Sequence, residues 1–124
     1  PEHFAHLMGA LGRPVVLLEG PADAAPCART AALAGPGAAP ARAAGLSVAQ
    51  TAALLSRCRL YVGNDSGVSH LGAGLGVPTV AVFGPTDPRT WRPLGRRVVS
   101  CGGNGAWPDP ALVLDACRRL LQPA

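Results

Sequence analysis

The sequence contains no lysine and no isoleucine, and its 124 residues include one Met, one Tyr, two Phe and two Trp. All 11 basic residues are therefore arginines, and the aromatics are too few to interleave with them as a base-stacking surface. The arginines stand singly or in pairs (Arg57 and Arg59, Arg96 and Arg97, Arg118 and Arg119), so the net charge of +4 forms no basic stripe. This argues against a nucleic-acid-binding face and leaves room for a small anionic ligand. Missing lysine beside 23 alanines reads as codon bias. Cys27, Cys58, Cys101 and Cys117 lack CxxC spacing and a paired His, which argues against a zinc site and a thioredoxin-type motif. They read as buried or idle thiols of a reduced, cytoplasmic protein. No apolar run approaches the roughly 18 residues of a membrane span. At 15% charged and 48% apolar the chain is too poor in charge to stay disordered, and its length is that of one domain, 1–124.

What is present is an alternation of apolar runs and helical patterns. Phe4, Leu7, Met8 and Leu11 predict a helix over 2–11, and Val15-Val16-Leu17-Leu18 a strand buried on both faces. Asp23 is placed to cap a helix from Ala24 to Leu33. Residues 34–45 are low in complexity and leave a short strand and a plain loop equally open. Ser47 opens a helix ending near Arg57, Leu60 to Gly63 reads as a strand, and Gly67 to Gly76 as a helix of small residues. Val77 to Phe83 and Val98 to Ser100 read as strands, and Pro110 begins a last helix. Such an order specifies an α/β fold, a Rossmann-like parallel sheet flanked by helices.

Ligands of open parallel sheets bind beyond the carboxyl ends of the strands, and two loops mark such places. The first is Gly63-Asn64-Asp65-Ser66-Gly67-Val68-Ser69-His70, which leaves a strand and opens a helix. Its Ser66, Gly67 and Val68 amides can meet a diphosphate in the positive field of the helix terminus. Asp65 or Ser66 could equally be a plain N-cap. His70 either donates to a phosphate, holds the loop through a carbonyl, or is an interior histidine. The second is Phe83-Gly84-Pro85-Thr86-Asp87-Pro88, where Thr86 would stand beside the first site if the two strands are neighbours. That loop reads equally as a plain turn with Asp87 in an Asx-type role and as a ligand contact, and Trp91 fits either a domain edge or a sugar face. Gly72, Gly74 and Gly76 fall inside a helix rather than before it, so they fit close helix-sheet packing and not a dinucleotide fingerprint.

The runs from Leu60 to Ala73 and from Leu75 to Pro88, with Trp91, resemble the signature of glycosyltransferase family 9, the ADP-heptose:lipopolysaccharide heptosyltransferases. Residues 46–95 match densely, and Pro1 to Phe4 and Leu17 to Asp23 more loosely. The resemblance implies the carboxyl-terminal, donor-binding half of a two-domain GT-B enzyme. By motif position Asp65 would contact the donor sugar, Ser66 and Gly67 the diphosphate, and His70 the phosphate site. Leu46 would contact the adenine and Asp23 the ribose. The implied reaction is inverting, metal-independent transfer of heptose or a related sugar from an ADP-sugar to a saccharide or lipid-linked acceptor. The resemblance places the catalytic base in an amino-terminal domain, so no catalytic residue is expected in 1–124, and the isolated chain is expected not to turn over. It also implies a cytoplasmic enzyme that can associate peripherally with a membrane. Absent lysine, and Gln50 where the family carries an acid, depart from its pattern. A non-catalytic nucleotide- or partner-binding module is the alternative.

Overall fold

The computed structural model describes residues 2–35, 40–64 and 66–122. Its backbone clusters into two compact units, Pro1–Ser47 and Val48–Ala124.

The first unit holds α1 (Glu2–Leu11), β1 (Val16–Glu19), α2 (Ala24–Ala34) and β2 (Ala41–Ala44). The strands pair in parallel, Val16 beside Ala41 and Glu19 beside Ala44, with α2 as the crossover that parallel pairing requires. α1 buries Ala5, Leu7 and Met8 and packs on α2. In α2 the buried Thr30 donates its hydroxyl to the Pro26 carbonyl at 2.9 Å. Within 34–45, which composition left open, residues 41–44 form the strand β2, and residues 36–39 lie outside the described residues. Ala-Arg-Ala-Ala has little strand propensity, but Arg42 reaches Glu19 through Nε at 2.6 Å and a second nitrogen at 3.0 Å. That two-pronged bond ties the neighbouring strands together, and Glu19 joins β1 where apolarity alone ends the strand at Leu18.

The second unit holds α3 (Val48–Ser56), β3 (Tyr61–Asn64), α4 (Gly67–Gly74), β4 (Thr79–Phe83), α5 (Pro88–Trp91), β5 (Val98–Gly102) and α6 (Pro110–Leu121). Its sheet is parallel, in the order β3-β4-β5. Every residue of the central β4 is buried, as an apolar run without alternation requires. α4 packs on β3 and β4, and α6 on β4 and β5. Parallel sheets flanked by helices are thus the fold of both units.

The three glycines of the α4 region do three different things, a correction to the single packing role read from sequence. A Cβ on Gly72 would meet Thr79 and Tyr61 side chains at 3.6–3.8 Å, so this is the one glycine that faces the sheet. Gly74 meets nothing within 4 Å. Gly76 has φ +83° and ends the helix, with its N–H bonded to Ala73 and that of Val77 to Gly72. This is the left-handed, 6→1 closure that favours glycine, and it stops α4 two residues before the expected Gly76.

Candidate functional site

β3 and β4 are hydrogen-bonded neighbours, with Gly63 beside Ala81 and Asn64 beside Val82, so the two motif-bearing loops leave the same sheet edge side by side. At the first loop Ser66 is the N-cap residue of α4, with extended backbone (φ −158°, ψ 166°). Its side chain makes no capping hydrogen bond. The Ser66 hydroxyl lies 3.5 Å from that of Ser69 instead. The first-turn amides, which no intrahelical carbonyl can satisfy, are therefore not covered by the usual Ser cap. Gly67 follows, exposed, and a Cβ there would meet nothing within 4 Å, so its role is open access and not an unusual φ. His70 is exposed on the first turn, which removes the interior-histidine alternative. Asp65 lies outside the described residues.

Sequence reasoning does not single out Ser69, which the structure makes the anchor of this turn. It is fully buried and donates its hydroxyl to the Asn64 carbonyl at 2.7 Å, fastening the end of β3 to the start of α4. Gly63 serves the same end in another way. A Cβ there would fall 2.2 Å from the Tyr61 hydroxyl oxygen, so any larger residue would push the Tyr61 ring off its course along the strand.

At the second loop Asp87 has the local role that its turn reading allows. Its Oδ1 accepts from the Arg89 amide at 2.9 Å, and with Pro88 in the first turn it starts α5, a single turn too short to leave a periodic trace. That backbone hydrogen bond, with help from the Arg89 side chain, holds the Asp87 carboxyl below its usual range. Thr86 is half-buried, and its carbonyl accepts from Asn104 N at 2.9 Å, while Gly105 N donates to the Gly84 carbonyl at 2.7 Å. These bonds strap the β5–α6 loop onto the β4–α5 loop. The strap is a tight turn in which Asn104 (φ 57°) and Gly105 (φ 90°) sit between Gly103 and Ala106, the Asn-Gly pattern of a type I′ hairpin. On the far side of the turn Trp107 lies against Gly84. Trp91 ends α5 and is 53% exposed.

The two residues expected at the nucleoside both belong to the first unit. Asp23 follows β1 and Leu46 follows β2, so they leave the carboxyl edge of paired strands. Asp23 occupies the N-cap position of α2 but makes no side-chain cap. Its Oδ2 accepts from Gly20 N at 2.8 Å, closing the loop behind it and correcting the capping role read from sequence. Leu46 is exposed. Ser66, Gly67 and His70 stand on the turn after β3, and Thr86 on the loop after the adjacent β4, all in the second unit.

The four cysteines are free thiols, with Cys101 on β5 and Cys117 on α6 buried. Burial, and then the nearby Cys101, push the Cys117 thiol up to about 11. No described helix is long and apolar enough to cross a membrane.

The family described as Glycosyltransferase family 9 (heptosyltransferase) matches residues 1–116. Lipopolysaccharide heptosyltransferase 1 of Pseudomonas aeruginosa is 42% identical over 59 residues, 48% of this chain and 17% of that protein. Lipopolysaccharide heptosyltransferase 2 of Escherichia coli K12 is 40% identical over 48 residues, 39% of this chain and 14% of that protein. Among solved structures, the E. coli ADP-heptose lps heptosyltransferase II aligns with a TM-score of 0.85 at 28% identity, over 98% of this chain and 41% of that one. A glycosyl transferase family 9 structure from Veillonella parvula aligns with a TM-score of 0.83 at 26% identity, with the same coverage. The chain thus spans 41% of the length of these solved relatives. Dense motifs on a matching fold, over nearly the whole sequence, place the chain in glycosyltransferase family 9.

Proposed function

We propose that this chain is the donor-binding part of a GT-B glycosyltransferase that transfers heptose or a related sugar, with inversion, from an ADP-sugar to a lipopolysaccharide-type or other saccharide acceptor. The observation that carries the proposal is the start of α4, where an extended Ser66 gives the first-turn amides no cap from its own side chain beside an open Gly67. As the glycosidic C–O bond breaks, negative charge grows on the departing diphosphate. The amides of Ser66, Gly67 and Val68 and the field of the helix N-terminus stabilise it, and the exposed His70 ring adds a donor one turn along. This arrangement supports a metal-independent departure. Asp65 is assigned to the donor-sugar hydroxyls, Thr86 to the neighbouring loop contact, and Leu46 and Asp23 to the adenine and ribose. The base that deprotonates the acceptor hydroxyl is assigned to an amino-terminal domain of a longer enzyme, which works in the cytoplasm and meets lipid-linked acceptors at a membrane face.

Calorimetric titration of the 124-residue chain with ADP and with adenosine tests whether the diphosphate carries recognition. ADP is expected to bind with millimolar affinity or better, about tenfold more tightly than adenosine, and His70→Ala to weaken ADP alone. Equal affinity for the two, or no heat from either at about 10 mM, would contradict the assignment.

A further inference from the structure

Trp107 belongs to none of the motifs that carry the family resemblance, yet it holds a distinctive position at the carboxyl edge of the β3-β4-β5 sheet. A Cβ on Gly84, the residue after β4, would lie 2.3, 2.5 and 2.6 Å from Cε2, Cζ2 and Cδ2 of the indole. Three contiguous ring atoms at nearly one distance mean that the ring lies flat over the glycine and not edge-on. The indole nevertheless remains 63% exposed, so its second face is open to solvent. Its mount is stiff. Gly105 and Asn104 bond to the carbonyls of Gly84 and Thr86 on one side of it. On the other side Pro108 and Pro110 flank the Asp109 cap, whose carboxylate accepts from Ala111 N at 2.9 Å. An aromatic face held in place this way loses little conformational entropy when a ring stacks on it.

We propose that Trp107 is the stacking platform for the apolar C–H face of a pyranose ring. The proposal deepens the donor-site reading and rests on it for the kind of ligand. Gly84 follows β4, one strand over from the β3–α4 turn assigned to the diphosphate, and adjacent strands lie about 4.8 Å apart. A sugar joined directly to the distal phosphate spans such a gap, whereas the base is separated from that phosphate by a second phosphate and a ribose. Position therefore selects a sugar over a base. The pyranose is either that of the donor or that of the acceptor glycan.

Titration of the isotopically labelled chain with ADP, ADP-mannose and methyl α-mannopyranoside, following the Trp107 indole N–H and the amides of 66–70, tests this and separates the sources. A shift of the indole with ADP-mannose and not with ADP supports the donor sugar. A saturable shift with the free mannoside supports an acceptor sugar. Trp107→Ala is expected to reduce the sugar-dependent affinity about five- to tenfold and leave ADP binding unchanged, while Trp107→Phe retains most of it. Leu112→Ala, another exposed apolar site, changes neither. The proposal is overturned if the indole ignores both sugars up to about 100 mM while amides 66–70 respond to ADP, a result that leaves the donor-site reading standing. Silence of 66–70 toward ADP sinks the donor-site reading instead, and the mannoside titration then decides on Trp107 by itself.

Discussion

Substituting Gly84 by alanine pits one methyl group against the Trp107 indole. The new Cβ would sit 2.3 Å from Cε2, where carbon pairs normally rest at about 3.5–4.0 Å, so the ring must retreat by more than about 1 Å. Its loop is strapped to Gly84 and Thr86, so retreat means rotation of the side chain into water. With the residue already 63% exposed, roughly a third of its 150–250 Å², about 60–90 Å², is at stake. At about 25 cal/mol per Å² that is a loss of about 1.5–2 kcal/mol. Gly84 does not occupy the left-handed region, so alanine itself returns about 0.4–1 kcal/mol by narrowing the unfolded ensemble. Gly84→Ala should therefore cost about 1 kcal/mol in the native background and be neutral or stabilising beside Trp107→Ala. The coupling between the two changes should be about 1.5–2 kcal/mol. Urea unfolding of the four chains of this cycle, followed by far-UV circular dichroism, measures it. Equal cost of Gly84→Ala with and without Trp107 would refute the account of why glycine stands there.

Three further outcomes are expected. Ser69→Ala removes a fully buried hydroxyl and strips the Asn64 carbonyl of its 2.7 Å donor, so it should destabilise the chain by about 1–2 kcal/mol in urea titration, and an unchanged midpoint would contradict its anchoring role. With Cys101 and Cys117 buried and the Cys117 thiol pushed up to about 11, a thiol reagent at pH 8 should label at most Cys27 and Cys58 in the native chain and all four cysteines after unfolding, and full labelling of the native chain would refute that burial. Asp87 titrates below its unfolded range, so its stabilisation is complete above that range and is lost as pH falls through the folded value; Asp87→Asn should flatten the stability-pH curve below about pH 5, and identical curves would contradict the cap.

The parts of this fold that sequence discloses are those set by local pattern. Val80-Ala81-Val82-Phe83 has no polar alternation and is a strand covered on both faces, whereas Val16-Leu17-Leu18, read the same way, forms a strand that is exposed or half-buried, and Ser66-Gly67 after a strand opens a helix. The parts it conceals depend on partners far along the chain. β2 is a strand because its backbone pairs with β1, with Arg42 bonded to Glu19 23 residues earlier, and nothing within Ala41–Ala44 says so. Gly84 looks like half of a Gly-Pro turn until Trp107 is seen lying on it. The candidate site divides in the same way. Its loops were legible as strand–turn–helix junctions, whereas Ser69 looks like any small polar residue until burial and the Asn64 carbonyl show what it holds. The Asn104-Gly105 pair was the one available sign of the strap over the second loop, since that dipeptide favours the two positive φ values found there. Asp87 shows that a motif residue can be consumed locally, its carboxylate engaged by Arg89.

The central claim is that the start of α4 receives the diphosphate of a sugar nucleotide, and amide chemical shifts of the labelled chain during titration with ADP test it most directly. The account predicts saturable shifts concentrated at Ser66, Gly67 and Val68, absent with adenosine and weakened in His70→Ala. Shifts confined to other segments, or none at about 10 mM ADP, would contradict it.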